Sequence, residues 1–333
     1  MRLPNFEYLE PTNLKEALEL LSTHGDQAAI LAGGTDLIVQ MKHRLVQPAV
    51  LITLKKINDL DHITRQENVL SIGAMATLAS ILESEPIKRS LPALYQATRL
   101  IGAPPIQHYR GTIGGNLCLD TRCLYYNKSS RWRSGRTRCH KDNGETCYAE
   151  TNSDRCRSAN QSDGACALMA LNASIVLSSV RGDRILPIED FFTGKGESPF
   201  ALEADELVTH IRVPVPEKGY GSCFKKLTYR SAIDYALVSA AACLSVENGK
   251  ISTARIVIGG AGASPLLLKE VSESLDGKSA SDNGIIDKTA DQVRKHASAF
   301  MVDNLGSTLE YRQKMAGVMA KRAIKESIER IQS

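Results

Sequence analysis

Cys123, Cys139, Cys147 and Cys156 fall within 34 residues, with 15, 7 and 8 residues between them. Four thiolates brought to one place can close around a soft metal centre, either Zn2+ or an iron–sulfur cluster. The paired C-x2-C knuckles common in structural zinc sites are missing. A four-thiolate [4Fe-4S] cluster carries net negative charge, and residues 119–161 hold nine Arg or Lys against five acids. Iron–sulfur, zinc and unligated thiols all stay open on spacing alone. His140, beside Cys139, reads as a neighbour of such a centre. Cys118, Cys166, Cys223 and Cys243 sit in apolar or strand-like surroundings and read as small buried residues.

A second chemistry lies in two glycine turns. Ala32-Gly33-Gly34-Thr35-Asp36 follows the apolar run Ala28-Ala29-Ile30-Leu31. Thr112-Ile113-Gly114-Gly115-Asn116 has the same character. Paired glycines let backbone N–H groups approach a phosphate, and a helix starting there adds a favourable dipole. Neither GxGxxG nor GxxxxGK[ST] is present. Two such turns in neighbouring units suit the two halves of a dinucleotide pyrophosphate. The tight-turn explanation stands beside this one for each turn taken alone. No Ser-His-Asp arrangement or HExxH is visible, and no catalytic residue is assigned.

These residues need elements to position them. Apolar spacing predicts helices over 12–21, 77–82, 91–101, 165–171, ~289–299 and ~308–331. Strands are predicted over 28–32, 49–54, 69–72, 173–177, 207–213, 223–229, 236–244 and 254–258. The chain divides into a small β-α-β unit (1–55), a larger unit (56–217) and a C-terminal α+β unit (218–333), with a linker at 214–219. Residues 119–161 carry almost no aliphatic side chains. A structureless excursion of that length needs an organiser, and the four cysteines supply one.

Composition sets the limits. With 333 residues, 43% hydrophobic and 23% charged, the chain is of ordinary globular type. A net charge of +4 and 5% aromatic residues argue against a nucleic-acid binder. No ~18-residue apolar run is present for a membrane span, and the N-terminal residues lack a signal-peptide core. A cytoplasmic protein with reduced cysteines is the expectation.

Several elements recur together in one family, in this order: Ile30-Leu31-Ala32-Gly33-Gly34-Thr35-Asp36-Leu37; Arg110-Gly111-Thr112-Ile113-Gly114-Gly115-Asn116-Leu117-Cys118; Ser162-Asp163 before Ala167–Leu171; Phe224-Lys225-Lys226-Leu227; and Asp234-Tyr235-Ala236-Leu237-Val238. The whole chain resembles the FAD-binding medium subunits of the xanthine dehydrogenase / molybdenum hydroxylase family. In most of these the asparagine turn runs directly into Ser-Asp, whereas here 43 residues separate Cys118 from Ser162. That insert, through Thr121-Arg122-Cys123, Trp132-Arg133-Ser134-Gly135 and Ser153-Asp154-Arg155-Cys156, resembles the extra loop of the β subunits of 4-hydroxybenzoyl-CoA reductases.

The resemblance implies an α+β fold. It consists of a two-part, PCMH-like FAD-binding domain with an inserted iron–sulfur loop, plus a C-terminal α+β domain. It implies FAD held against residues 30–37 (Ile30, Leu31, Ala32, Gly33, Gly34, Thr35, Asp36, Leu37) and against Thr112, Gly114, Gly115 and Asn116. Asp163 is then expected on the ribityl or adenosine side. Lys226, or Lys225 if the register slips by one, is expected near the isoalloxazine, with Ile101 and Leu202 packing on a ring. A [4Fe-4S] cluster is expected on Cys123, Cys139, Cys147 and Cys156. The implied partners are a small [2Fe-2S] subunit and a large molybdenum-cofactor subunit, as a dimer of heterotrimers, with a ferredoxin-like donor or another acceptor outside. The implied function is electron relay in a molybdenum enzyme acting on an aromatic acyl-CoA such as 4-hydroxybenzoyl-CoA. The alternatives are a dehydrogenase running the other way and a zinc-stabilised scaffold without redox work.

Overall fold

The computed structural model describes residues 2–215 and 219–332. The central part of the linker expected at 214–219 therefore lies outside the described residues. The first unit is a parallel sheet of β1 (Glu7–Leu9), β2 (Ala28–Leu31) and β3 (Val50–Thr53), with β3 in the middle. β3 is Val-Leu-Ile-Thr and buried throughout, as a central parallel strand must be. The helix Leu14–His24 covers the sheet with Ala17, Leu18 and Leu21. Its start is locked by Asn13, which accepts from the Glu16 amide at 2.9 Å, while Glu16 accepts from the Thr12 amide at 2.7 Å.

The second unit is an antiparallel sheet of β4 (Ile63–Gln66), β5 (Val69–Gly73), β6 (Ser174–Ser179), β7 (Gly182–Pro187) and β8 (Leu207–Pro214), in the order β4-β5-β8-β6-β7. The C-terminal unit is an antiparallel sheet of β9 (Tyr220–Leu227), β10 (Val238–Glu247), β11 (Lys250–Gly259) and β12 (Leu266–Leu267). The helices Asn283–Ser298 and Leu309–Gln332 pack on it. Between the two larger sheets runs the helix Asp163–Ala170 (Asp-Gly-Ala-Cys-Ala-Leu-Met-Ala), every residue of which is buried. A helix of small and apolar side chains all round can occupy such a place. Its N-terminus is thereby held at the junction of all three units. The fold is mixed α+β, as expected.

Where sequence periodicity was short, the structure differs. The 112–116 segment is no free turn but the start of a short helix, Ile113–Leu117, capped by Thr112, whose Oγ1 accepts from the Gly115 amide at 3.1 Å. β1, β4 and β7 were not anticipated, because three to six half-exposed residues carry no distinctive period.

Across the C-terminal unit, Glu326 accepts from Lys225, Gln96 and Arg330. Burial alone would raise its carboxyl, but these hydrogen bonds and the Lys225 charge outweigh it and hold the group down at about 2. A depressed carboxylate contributes stability above its ordinary value of 4.5 and loses it as pH falls toward about 2. The melting temperature should therefore drop across that window, and in Glu326→Gln the drop should be shallower. Superimposable pH profiles would refute this role.

Candidate functional site

One cavity of about 680 Å3 is lined by residues of all three units, a volume in the ~300–1,000 Å3 range of cofactor-sized sites. Gly33, Gly34, Thr35 and Asp36 come from the loop leaving β2, at the carboxyl end of the parallel sheet. Thr112, Gly114, Gly115 and Asn116 come from the second turn, Asp163 from the central helix, and Lys226 from β9. Ile30, Ala32, Leu37, Ile101 and Leu202 also line the cavity. Leu31 does not. Its side chain turns away and packs beside Gly34, because neighbouring residues of a strand face opposite sides.

The turns converge because their backbones touch. A Cβ at Gly33 would lie 1.8 Å from the Arg110 carbonyl oxygen. Only glycine allows the first loop to press on the segment leading into the second. Gly34 has φ +72, where a side chain is strained. A Cβ at Gly114 would lie 2.7 Å from the Ala74 Cβ and 2.8 Å from its carbonyl oxygen. The need for glycine at 33 and 114 is thus chain-on-chain packing, and not only the phosphate approach expected from sequence.

Asn116 joins the second turn to the central helix. Its Oδ1 accepts from Ser162 Oγ at 2.9 Å and from the Gly164 amide at 3.1 Å. Ser162 in turn caps that helix by accepting from the Ala165 amide at 3.0 Å. Lys226 Nζ donates to Asp163 at 2.6 Å and to the Leu100 carbonyl at 2.9 Å, with both charged side chains about 5% exposed or less. Burial raises the Asp163 carboxyl, and the Lys226 charge opposes that shift. The register question is decided by strand alternation: Lys226 faces the cavity, and Lys225 faces Glu326 on the other side.

Asp36 is not poised to meet a phosphate. Its oxygens accept from Arg122 at 2.6 Å and from Gln40 at 2.5 Å. Arg122 also lies over the Tyr235 ring at 4.4 Å. Arg122 immediately precedes Cys123, so one guanidinium ties the cysteine loop to both walls of the cavity. Sequence reasoning counted Arg122 as loop charge and as part of the Thr121-Arg122-Cys123 motif, with no role at the cavity. Gln161, Arg230 and Ile233 were also missed as cavity residues, with no motif to mark them, and Tyr235 was missed although it sits in the Asp234–Val238 motif.

The cysteine loop has a core after all, built from charge. Tyr126 is buried, with Arg133 and Lys141 over its ring at 5.4 and 5.5 Å. Arg122, Arg133, Lys141 and Arg157 are each paired with an acid: Asp36, Asp142, Asp120 and Glu150. Lys128, Arg131, Arg136, Arg138 and Arg155 remain exposed. A short helix, Ser130–Ser134, appears where no period was visible.

Cys123, Cys139, Cys147 and Cys156 line one small second cavity, together with Tyr126, His140, Tyr148 and Ser158. His140 Nε2 meets the Ser153 carbonyl at 2.9 Å, which makes it a loop strut. Cys156 Sγ lies 3.1 Å from Ser158 Oγ. Burial pushes the Cys123 thiol up to about 11. A soft metal centre there would have to displace that proton. Among the described residues, no three or more His, Cys, Asp or Glu side chains meet closely enough to hold a metal ion. The other four cysteines stay apart from this ring: Cys166 and Cys223 are buried, Cys243 packs against the core, and Cys118 lines the large cavity. No helix among the described residues is long and apolar enough to cross a membrane.

Comparison with known proteins gives two family models in tandem. Residues 4–216 match the FAD binding domain in molybdopterin dehydrogenase, and residues 222–327 match the CO dehydrogenase flavoprotein C-terminal domain. The chain is 33% identical over 279 residues to the nicotinate dehydrogenase FAD-subunit of Eubacterium barkeri, covering 83% of this chain and 81% of that one. It is 32% identical to the carbon monoxide dehydrogenase medium chain of Afipia carboxidovorans, covering 97% and 96%. The solved structure of reconstituted CO dehydrogenase from Oligotropha carboxidovorans superposes with a TM-score of 0.80 at 30% identity, covering 99% of this chain and 100% of that one.

Proposed function

Since this chain belongs to the FAD-binding medium subunits of the xanthine dehydrogenase and CO dehydrogenase family of molybdenum hydroxylases, we propose that it is the electron-transfer flavoprotein of such a complex. One observation carries the reading: two glycine turns from separate units and a buried Lys226–Asp163 pair open into a single cofactor-sized cavity. FAD, when bound, takes up one or two electrons and so joins one-electron and two-electron centres. Gly33, Gly34 and Thr35 present backbone to the diphosphate, Gly114 and Gly115 let the second turn approach it without side chains, and Asp163 and Lys226 hold the ribityl and ring side. Substrate chemistry then belongs to a large molybdenum subunit, reached through a small [2Fe-2S] subunit.

The second part of the proposal is a [4Fe-4S] cluster on Cys123, Cys139, Cys147 and Cys156. Its support is that all four thiols, and none of the other four, ring one cavity. An aromatic acyl-CoA such as 4-hydroxybenzoyl-CoA as the substrate being reduced, with electrons entering from a ferredoxin-like donor, rests on the sequence resemblance of the insert alone. The named relatives favour the opposite reading, since both are dehydrogenases. Reduction of 4-hydroxybenzoyl-CoA by the anaerobically purified complex with a low-potential donor would uphold the first. Activity only in the oxidising direction would uphold the second. About four iron and four sulfide per chain, with one FAD, supports the relay. Zinc without iron points to a scaffold loop instead.

The exposed Lys128, Arg131, Arg136, Arg138 and Arg155 form the face that an acidic donor would meet. The rate of electron entry from such a donor should fall at least ~10-fold between low and ~0.5 M salt. Arg136→Glu with Arg138→Glu should remove most of that dependence. A salt-independent rate refutes docking at this face.

A further inference from the structure

Gln161 ends the cysteine-bearing excursion and stands in the wall of the large cavity. It is 4% exposed, yet neither its Nε2 nor its Oε1 has a partner. A primary amide offers two donor hydrogens and an acceptor oxygen, and buried amides are hydrogen-bonded with few exceptions. Several of the surrounding protein groups are already engaged, although the neighbouring Asn160 Nδ2 is itself buried without a partner. Asn160 Oδ1 accepts from the Ser162 amide at 3.0 Å, and Ser162 Oγ donates to Asn116. Asp163 is held by Lys226. The Gly260 carbonyl, on the neighbouring turn, accepts from the fully buried Arg312 at 2.7 Å. A Cβ built at Gly260 would sit 3.6 Å from Gln161 Nε2, so this turn closes one side of the amide. The cavity is the direction left from which a partner can come.

We propose that Gln161 is a flavin-binding residue, its amide pairing with an adjacent acceptor and donor of the bound FAD. The N3–H and flanking carbonyls of a flavin ring present such a pair, as do neighbouring ribityl hydroxyls. This rests on the reading of the cavity as the FAD site. It adds a polar contact that links flavin to the chain leaving Cys156.

The test uses the full-length chain, stripped of FAD and titrated with FAD. Gln161→Met keeps the length and removes both polar atoms. Its Kd for FAD should rise about tenfold, the loss of one to two hydrogen bonds. The visible absorption of the bound flavin should shift if the ring is the partner and stay unchanged if the ribityl chain is. Because the orphaned amide is a burden in the FAD-free protein, the melting temperature of the stripped variant should equal or exceed that of the stripped parent. Gln161→Glu, which adds a carboxylate to the wall that already holds Asp163, should bind FAD more weakly still. Parent-like affinity in either variant overturns the assignment. So does weaker binding accompanied by a lower melting temperature of the stripped Gln161→Met protein, which marks a structural side chain. If the parent itself takes up no FAD, the cavity reading fails and not merely this one.

Discussion

Iron should fall from about four atoms per chain to below one when Cys123 and Cys156 are both changed to serine in protein prepared without oxygen. The two residues lie at opposite ends of the loop, and both line the small cavity with Cys139 and Cys147. Serine keeps the size but removes the thiolate that a soft metal requires. The loop should loosen as well, since metal binding energy is folding energy in a segment with so little apolar content. Limited proteolysis between 128 and 155 reports this. FAD should stay bound, because its cavity is built by other elements. Some weakening is expected, as Arg122 beside Cys123 holds Asp36 and covers Tyr235. Unchanged iron in the double variant would refute the ligand assignment. Zinc in the parent would refute the cluster.

Gly33→Ala should abolish stable flavin binding, raising the Kd by more than about 100-fold. The added Cβ would lie 1.8 Å from a backbone oxygen, 2.5 Å from the Arg110 carbonyl carbon and 3.0 Å from the Gly111 Cα. No side chain can rotate away to relieve this, so the first loop must lift off the second and open the seam between the turns. Overpacking against rigid structure typically costs about 1–3 kcal/mol, and more where backbone must move. Gly262→Ala is the control, because its Cβ would meet nothing nearer than 3.7 Å. Flavin absorbance after gel filtration and the melting temperature read out both variants. A flavin-replete Gly33→Ala protein would show that the seam does not shape the site.

Much of the local structure was legible in the chain. The helix expected over 12–21, and found over Leu14–His24, declares itself through the Ala17, Leu18, Leu21 face, because helix signals lie within a few residues of one another. The four loop cysteines and both glycine turns were visible for the same reason: their types and spacings are local facts. Short strands such as β1 escaped, since three residues hold no measurable period.

What the amino-acid order determined by itself was therefore an inventory. It comprised four clustered thiols, two glycine turns, a surplus of cations and an α+β alternation. Tertiary structure decided which members of that inventory meet. The pairing of β9 with β10 turned Lys226 to the cavity and Lys225 to Glu326. The contact of Gly33 with Arg110 brought together turns nearly eighty residues apart in the chain. Of the nine loop cations, folding left four half-buried against acids and five exposed. Gln161 became conspicuous only once its amide was seen to be buried in the cavity wall without a protein partner. Each of these outcomes depends on contacts between residues distant in sequence, and such contacts are set by packing and desolvation across the whole fold, which no short window of residues contains.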